Sequence, residues 1–228
     1  MYAMRNSLAS MVKWGVVAPV LFSALAVMSA PAQATAGDLY AGANYGRAEM
    51  KDLGTCSTAA LVLNRGYTCS ADDKTNAWRL FGGYEVIDHL AVEFAYAQFA
   101  RTDATASGTA KGSATAVTAT SNFKAKGPII SAVGLFPVTK DFGLLGRVGI
   151  FHWKVETTAA TSNGSNVVSV SDTKPGFEIN NIGLGLMYSV SKIMDVRVEW
   201  DRYKDVGNTL HTGQADIDFV SLGLLYKF

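Results

Sequence analysis

Six ionisable side chains fall on the small-residue face of alternating segments. Glu93, Arg147, Arg197 and Glu199 have the parity that carries Gly, Ala and Ser elsewhere in the chain, and Arg79 and Glu85 share that face near residue 80. Opposite charges on a confined face are costly unless they pair. The expected chemistry is an ion-pair network. Its structural role is to plug an interior and hold strand register.

Other reactive side chains are few. Cys56 and Cys69 are the only cysteines. An even number in an exported chain points to a disulfide within one loop, the alternatives being two free thiols or a metal site, for which two thiols with no histidine nearby are a poor set. His89, His152 and His211 are dispersed, none heads a His-x-Ser pair, and no Gly-x-Ser-x-Gly occurs, so the chain has no nucleophile–base motif and reads as no enzyme. The same scatter makes a poor metal site, and no cofactor is expected. Arg47, His152, Lys154, Arg202 and Lys204 have the opposite parity to the small-residue face and fall near strand ends, where cations can meet lipopolysaccharide phosphates or simply be solvated.

The elements that must position these groups are strands. Eight segments alternate with period two: 38–48, 75–86, 89–101, 122–137, 141–157, 176–190, 195–205 and 215–228. Each is long enough for the roughly 9–11 residues of a tilted membrane-crossing strand. In Leu90–Tyr96, Val196–Trp200 and Val220–Phe228 the even positions are all large and apolar. Successive side chains of a strand point to opposite faces. One face is therefore large and apolar, the other Gly, Ala, Ser and a few charges. The connections alternate as well. Those at 49–74, 102–121, 158–175 and 206–214 are long, and those near Ile87-Asp88, Val138–Lys140 and Ser191–Met194 are short. The Thr-, Ala-, Ser- and Gly-rich stretch 102–121 is expected to be a mobile loop.

The faces decide the solvent. A soluble barrel with the apolar side inward would show Gly42, Gly46, Ala91, Ala95, Gly149, Gly183, Gly185, Ser221 and Gly223 to water, a surface short of charge. Turned the other way, Leu80, Phe94, Val148, Leu184, Val198 and Leu222 meet lipid, and a closed barrel pairs every backbone group that lipid would leave unsatisfied. Tyr84, Phe94, Tyr96, Phe142, Tyr188, Trp200, Tyr226 and Phe228 then supply interfacial girdles. The fold class predicted is all-β: an eight-stranded antiparallel up-and-down transmembrane β-barrel over residues 37–228, long loops outside, short turns and both termini periplasmic.

Residues 1–36 read as a secretory signal peptide: Arg5 and Lys13 without acids, an apolar core Trp14–Met28, and Ala32-Gln33-Ala34 or Ala34-Thr35-Ala36 as the cleavage signal. Removing it takes two of the 20 basic residues and none of the 19 acids, leaving a net charge near −1. A near-neutral chain without a basic stripe gives no case for nucleic-acid binding.

The sequence resembles the transmembrane domain of the OmpA family from Leu39 to Phe228. The resemblance rests on Phe81-Gly82-Gly83-Tyr84 followed by Val92-Glu93-Phe94-Ala95-Tyr96, on Gly146-Arg147-Val148-Gly149 with Trp153 downstream, on Arg197-Val198-Glu199-Trp200, and on Ser221 through Phe228. It implies a structural role in the cell outer membrane of a Gram-negative envelope, with a narrow gated pore through the charged interior. The same resemblance makes Phe228, ending an alternating strand, the signal that barrel-assembly machinery reads. The family's periplasmic peptidoglycan-binding domain is not carried over. The family's lysine on the fourth strand has no counterpart near Ala132–Gly134, and Met187 stands where the sixth strand carries a glutamate. The alternative function is an adhesin or host-recognition protein acting through its external loops, with the cysteine-containing 49–74 connection as its main support.

Overall fold

In the computed structural model the alternating segments pair edge to edge in an antiparallel sheet that closes on itself. The structure describes residues 37–51, 56, 63–64, 66–112, 115–161, 167–174 and 177–228, so the signal peptide reading of residues 1–36 lies outside the described residues. The strands are β1 (Leu39–Lys51), β2 (Thr68–Ala71), β3 (Lys74–Ile87), β4 (Leu90–Thr109), β5 (Ala116–Pro137), β6 (Phe142–Phe151), β7 (Lys154–Thr161), β8 (Val167–Thr173), β9 (Asn181–Ser191), β10 (Met194–Asn208) and β11 (Gly213–Lys227).

Eight of them form the ring β1–β3–β4–β5–β6–β9–β10–β11, closed by the pairing of β11 back onto β1. β7 continues β6 past His152 and Trp153 and pairs with the far part of β5, so the two occupy the place of one interrupted strand. β2 and β8 add to the flanks of β4 and β7 at the same end of the barrel. Closure leaves the ring without an unpaired edge, the condition lipid imposes on a sheet.

At the opposite end the turns are tight. Asp88 and His89 join β3 to β4, with His89 at a positive φ of 70°. Lys192 and Ile193 join β9 to β10. Between β5 and β6 the hydroxyl of Thr139 accepts from the backbone N–H of Phe142 at 3.0 Å.

Two boundaries differ from the expectation. Residues 102–121 are not a loop: β4 runs to Thr109, β5 resumes at Ala116, and the two stay paired from Thr102↔Phe123 to Thr109↔Ala116. Threonine's branched Cβ suits a pleated strand, and water solvates the polar faces that made the stretch look like a loop. The sixth ring strand begins at Asn181 rather than at 176. Just before it the Asn180 side chain accepts from Phe151 N at 2.7 Å and donates to Phe151 O at 3.1 Å, taking the place of a ladder pair.

The faces follow parity. Leu80, Phe94, Leu184, Val198, Leu222 and Leu224 are exposed on the outer wall, and Tyr45, Tyr84, Tyr96, Tyr188 and Tyr226 are exposed towards the rims of that apolar band. Among the described residues no helix is long and apolar enough to cross a membrane; strands do the crossing here. The interior needs one correction. Glycines, alanines and charges do not fill all of it, because large apolar side chains pack the half of the lumen nearer the long connections.

Candidate functional site

The lumen is filled in layers. Its middle holds three guanidinium groups and three carboxylates. Arg79 (β3), Glu93 (β4) and Arg147 (β6) point inward with the small residues of their strands, and Arg197, Glu199 and Asp201 (β10) do so because they alternate with the outward Val196, Val198 and Trp200. Their side chains are at most 1% exposed. Arg147 binds all three acids: Nη2 donates to Glu93 Oε2 at 2.7 Å, and Nη1 donates to Asp201 Oδ1 at 2.9 Å and to Glu199 Oε2. Arg79 donates to Asp201 Oδ2 at 2.6 Å and to Glu199 Oε2. Arg197 donates to Glu93 Oε1 at 2.8 Å and lies over the rings of Tyr40 and Phe81, 5.2 and 5.3 Å from their centroids. The hydroxyl of Tyr40 also donates to Glu93 Oε1, at 3.0 Å, and Asn44 Nδ2 donates to Glu199 Oε1 at 3.1 Å.

Three charges of each sign leave the layer neutral. Swapping such a set for well-packed apolar groups is often neutral or stabilising, whereas removing one partner costs about 3–5 kcal/mol. A layer of this kind adds little net stability as a whole, while breaking it at one partner is costly.

Above it, toward the long connections, Phe99, Phe151, Tyr203 and Phe219 form an edge-to-face cluster with ring centroids 5.1–5.9 Å apart. All four are fully buried. Tyr203 belongs to both layers: its ring packs in this cluster, and its hydroxyl accepts from Arg79 Nη1 at 3.3 Å. Below the ions, Tyr40, Phe81, Val133, Leu135, Leu145 and Leu225 make a second apolar layer.

An eight-stranded closed sheet with an outward apolar band, girdled by aromatics and filled by buried ion pairs, is the architecture of a small membrane barrel. Over residues 34–228 the sequence matches the family described as the OmpA-like transmembrane domain. The chain belongs to that family. It is 28% identical over 209 residues to outer membrane protein A of Salmonella typhi, covering 90% of this chain and 53% of that protein. Against outer membrane protein A of Klebsiella pneumoniae it is 27% identical over 190 residues, covering 83% and 50%. The chain thus spans about half the length of the curated relatives it matches. Among solved structures it is similar to Ail of Yersinia pestis in complex with the heparin analogue sucrose octasulfate, with a TM-score of 0.48 at 16% identity over 84% of this chain and 99% of that one. It is also similar to Neisserial surface protein A, with a TM-score of 0.43 at 14% identity over 83% and 97%. As an OmpA-like barrel it is an integral outer-membrane β-barrel protein.

Within this OmpA-like barrel, five of the six charges expected in the lumen meet in the middle layer, and Glu85 does not. Glu85 lies six residues below Arg79 on β3, about 20 Å along the strand at ordinary strand rise. It lines a cavity of about 70 Å³ at the short-turn mouth, together with Tyr40, His89, Asp195, Arg197 and Lys227. There Lys227 pairs with Asp195 at 2.9 Å. The layer also takes in Asp201, Tyr40, Asn44 and Tyr203, which sequence reasoning misses, although the strict parity of Arg197, Glu199, Asp201 and Tyr203 is a signal that finds two of them. Met187 packs against the lower apolar layer.

Cys56 and Cys69 are joined by a disulfide. Arg47, Lys154 and Lys204 are exposed on the outer face, and Arg202 and His152 are half-buried there. Lys154 belongs to a different wall from Arg47, Arg202 and Lys204, so these cations are not one site. The histidines remain apart: His89 in a turn, His152 stacked on Phe177, and His211 3.4 Å from Asp172. Phe228, at the end of β11, donates its backbone N–H to Leu39 O at 3.0 Å and packs edge to face on Tyr226.

Proposed function

We propose that this barrel is a closed structural scaffold of the outer membrane whose central ion layer doubles as a gate over a narrow path. The single observation that carries this reading is the stack of a neutral, fully buried ion layer beneath a fully buried aromatic cluster. Water or ions can pass only when side chains of both layers move. The test is planar-bilayer conductance of the refolded mature chain against Glu93→Ala and Arg197→Ala. The wild type stays closed, and each variant conducts more. Unchanged conductance in both removes the gate and leaves the scaffold. The dispersal of the three histidines, with no nucleophile–base motif in the sequence, supports a non-catalytic reading.

The orientation belongs to the same proposal. The long-connection end faces outward and the short turns with both termini face the periplasm, as long external loops and short periplasmic turns require. Phe228, exposed beside Tyr226, is then presented to the barrel-assembly machinery during insertion.

A second reading, recognition of a host or surface ligand through the external loops, has its own support. β4 and β5 are 20 and 22 residues long, about twice what a crossing strand needs, so their outer halves and the disulfide-tethered β2 form a rigid platform beyond the bilayer. Loss of cell adhesion when residues 55–70 are replaced by a short turn is the expected outcome; unchanged adhesion removes this role.

A further inference from the structure

Above its apolar band the outer wall is uneven in charge. On the side made by β10, β11 and β1 two cations share one acid. Arg202 grips Asp218 with hydrogen bonds of 2.6 and 2.7 Å, Lys51 reaches the same carboxylate at 2.7 Å, and Glu49 and Asp216 stand beside them in the register.

The wall made by β4, β5 and β7 is different. Gln98, Lys126 and Lys154 are cross-strand partners in one outward row, and Lys124 and Glu156 are partners in the next. Glu156 spans Lys126 and Lys154 at 3.2 and 3.4 Å, Arg101 pairs with Asp103 at 2.8 Å, and Lys124 has no ion pair among the described residues. Four cations therefore face two acids. The register shift between Phe99 and Thr102 turns both Ala100 and Arg101 away from the lumen, as a bulge does. Beside it lies a concavity of about 560 Å³ in whose lining the three cations Arg101, Lys124 and Lys154 face the one acid Glu156, with Asn122 and Ser171 alongside.

Height decides what can enter. The row Gln98–Lys126–Lys154 lies two residues beyond Tyr96 and Pro128, which themselves follow the apolar pair Phe94 and Ile130. Two residues of strand advance about 7 Å. The cations thus stand one step above the aromatic girdle, where the headgroups of the outer leaflet begin.

We propose that this concavity binds the phosphorylated headgroup of the outer leaflet's glycolipid. Lys124 and Lys154 donate to phosphate oxygens, and Asn122 and Ser171 face the saccharide hydroxyls. The site rests on the outward orientation of the long-connection end given above. Lys154 carries over from the cations singled out in the sequence; Arg47, Arg202 and Lys204 do not belong to the site, because they stand on another wall and do not line the concavity.

The test uses the full mature chain refolded into phosphatidylcholine nanodiscs doped either with bisphosphorylated lipid A or with its dephosphorylated form, with retained lipid counted by native mass spectrometry. Heat-modifiable gel migration of the same samples reports folding. The wild type retains the phosphorylated lipid preferentially. Lys124→Gln combined with Lys154→Gln lowers that retention by roughly tenfold for each lysine replaced, and Arg47→Gln combined with Arg202→Gln leaves it unchanged. Equal retention of both lipids, or an equal loss from the opposite-wall pair, overturns the site. So does retention of a soluble heparin fragment in place of lipid A, which would assign the cations to a ligand from outside the cell. A folded barrel without phosphate preference refutes the site alone, whereas a chain that never enters the disc refutes the barrel as well.

Discussion

Arg147 and Asp201 meet at 2.9 Å across an intervening strand. Arg147 is on β6 and Asp201 on β10, and the residue opposite both of them in the register is Gly183 of β9. A Cβ at Gly183 would run into Asp201 Oδ1. The glycine leaves the room in which an acid two strands away can reach the arginine, so the small residues of the inner face are part of the ion layer's geometry.

Gly183→Ala is therefore expected to displace the Asp201 carboxylate from Arg147 and Arg79. Overpacking of this kind costs about 1–3 kcal/mol. A lowered urea midpoint for the barrel in lipid vesicles is the measurement. Gly146→Ala, on the outer face with open space around it, serves as the control and shifts the midpoint little.

Arg147 touches every acid of the layer. Arg147→Met leaves Glu93, Glu199 and Asp201 with two cations, and an uncompensated buried charge costs about 3–5 kcal/mol. Arg197→Met paired with Glu93→Gln removes one charge of each sign and costs less. If urea denaturation ranks the single variant as stable as the neutral double variant, the layer is not held by charge balance.

The disulfide acts outside the ring. Cys69 lies on β2, a four-residue strand held to β4 only from Thr68↔Ser107 to Ala71↔Ala104. Closing a loop of this size restricts the unfolded ensemble by up to about 3 kcal/mol. Cys56→Ala combined with Cys69→Ala should speed amide exchange at Thr68–Ala71 while leaving exchange in β10 and β11 unchanged. Equal exchange with and without the bond would show that β2 docks unaided.

Much of the fold is legible in the sequence, and the gaps have physical causes. Alternation in Val196-Arg197-Val198-Glu199-Trp200 marks both faces of β10 at once, because lipid and lumen ask for different residues there. The contrast fades in the outer half. Phe99, Phe151 and Phe219 point inward, so both walls of those strands carry large apolar groups and composition no longer distinguishes them. Parity assigns a face but not a height, which is why Glu85 shares the face of Arg79 yet lies at the mouth. The polar stretch 102–121 misleads for a related reason: backbone pairing of threonines and serines in water has no apolar signature.

Asp218 offers a pH test above the membrane band. Hydrogen bonds from Arg202, joined by Lys51, hold its pKa down to about 2, against about 3.9 for an unperturbed aspartate. An acid whose pKa is depressed on folding stabilises the fold above its unfolded value, and that contribution fades as the pH falls from about 4 through about 2. The carboxylate is partly open to solvent, so screening limits the effect to about 1 kcal/mol or less. Urea midpoints taken between pH 6 and pH 2 should fall for the wild type partly through this group. Asp218→Asn should begin lower at pH 6 and lose less on acidification, because it has no proton to gain. Parallel curves for the two proteins would show that the Arg202–Asp218–Lys51 cluster contributes nothing to the rim.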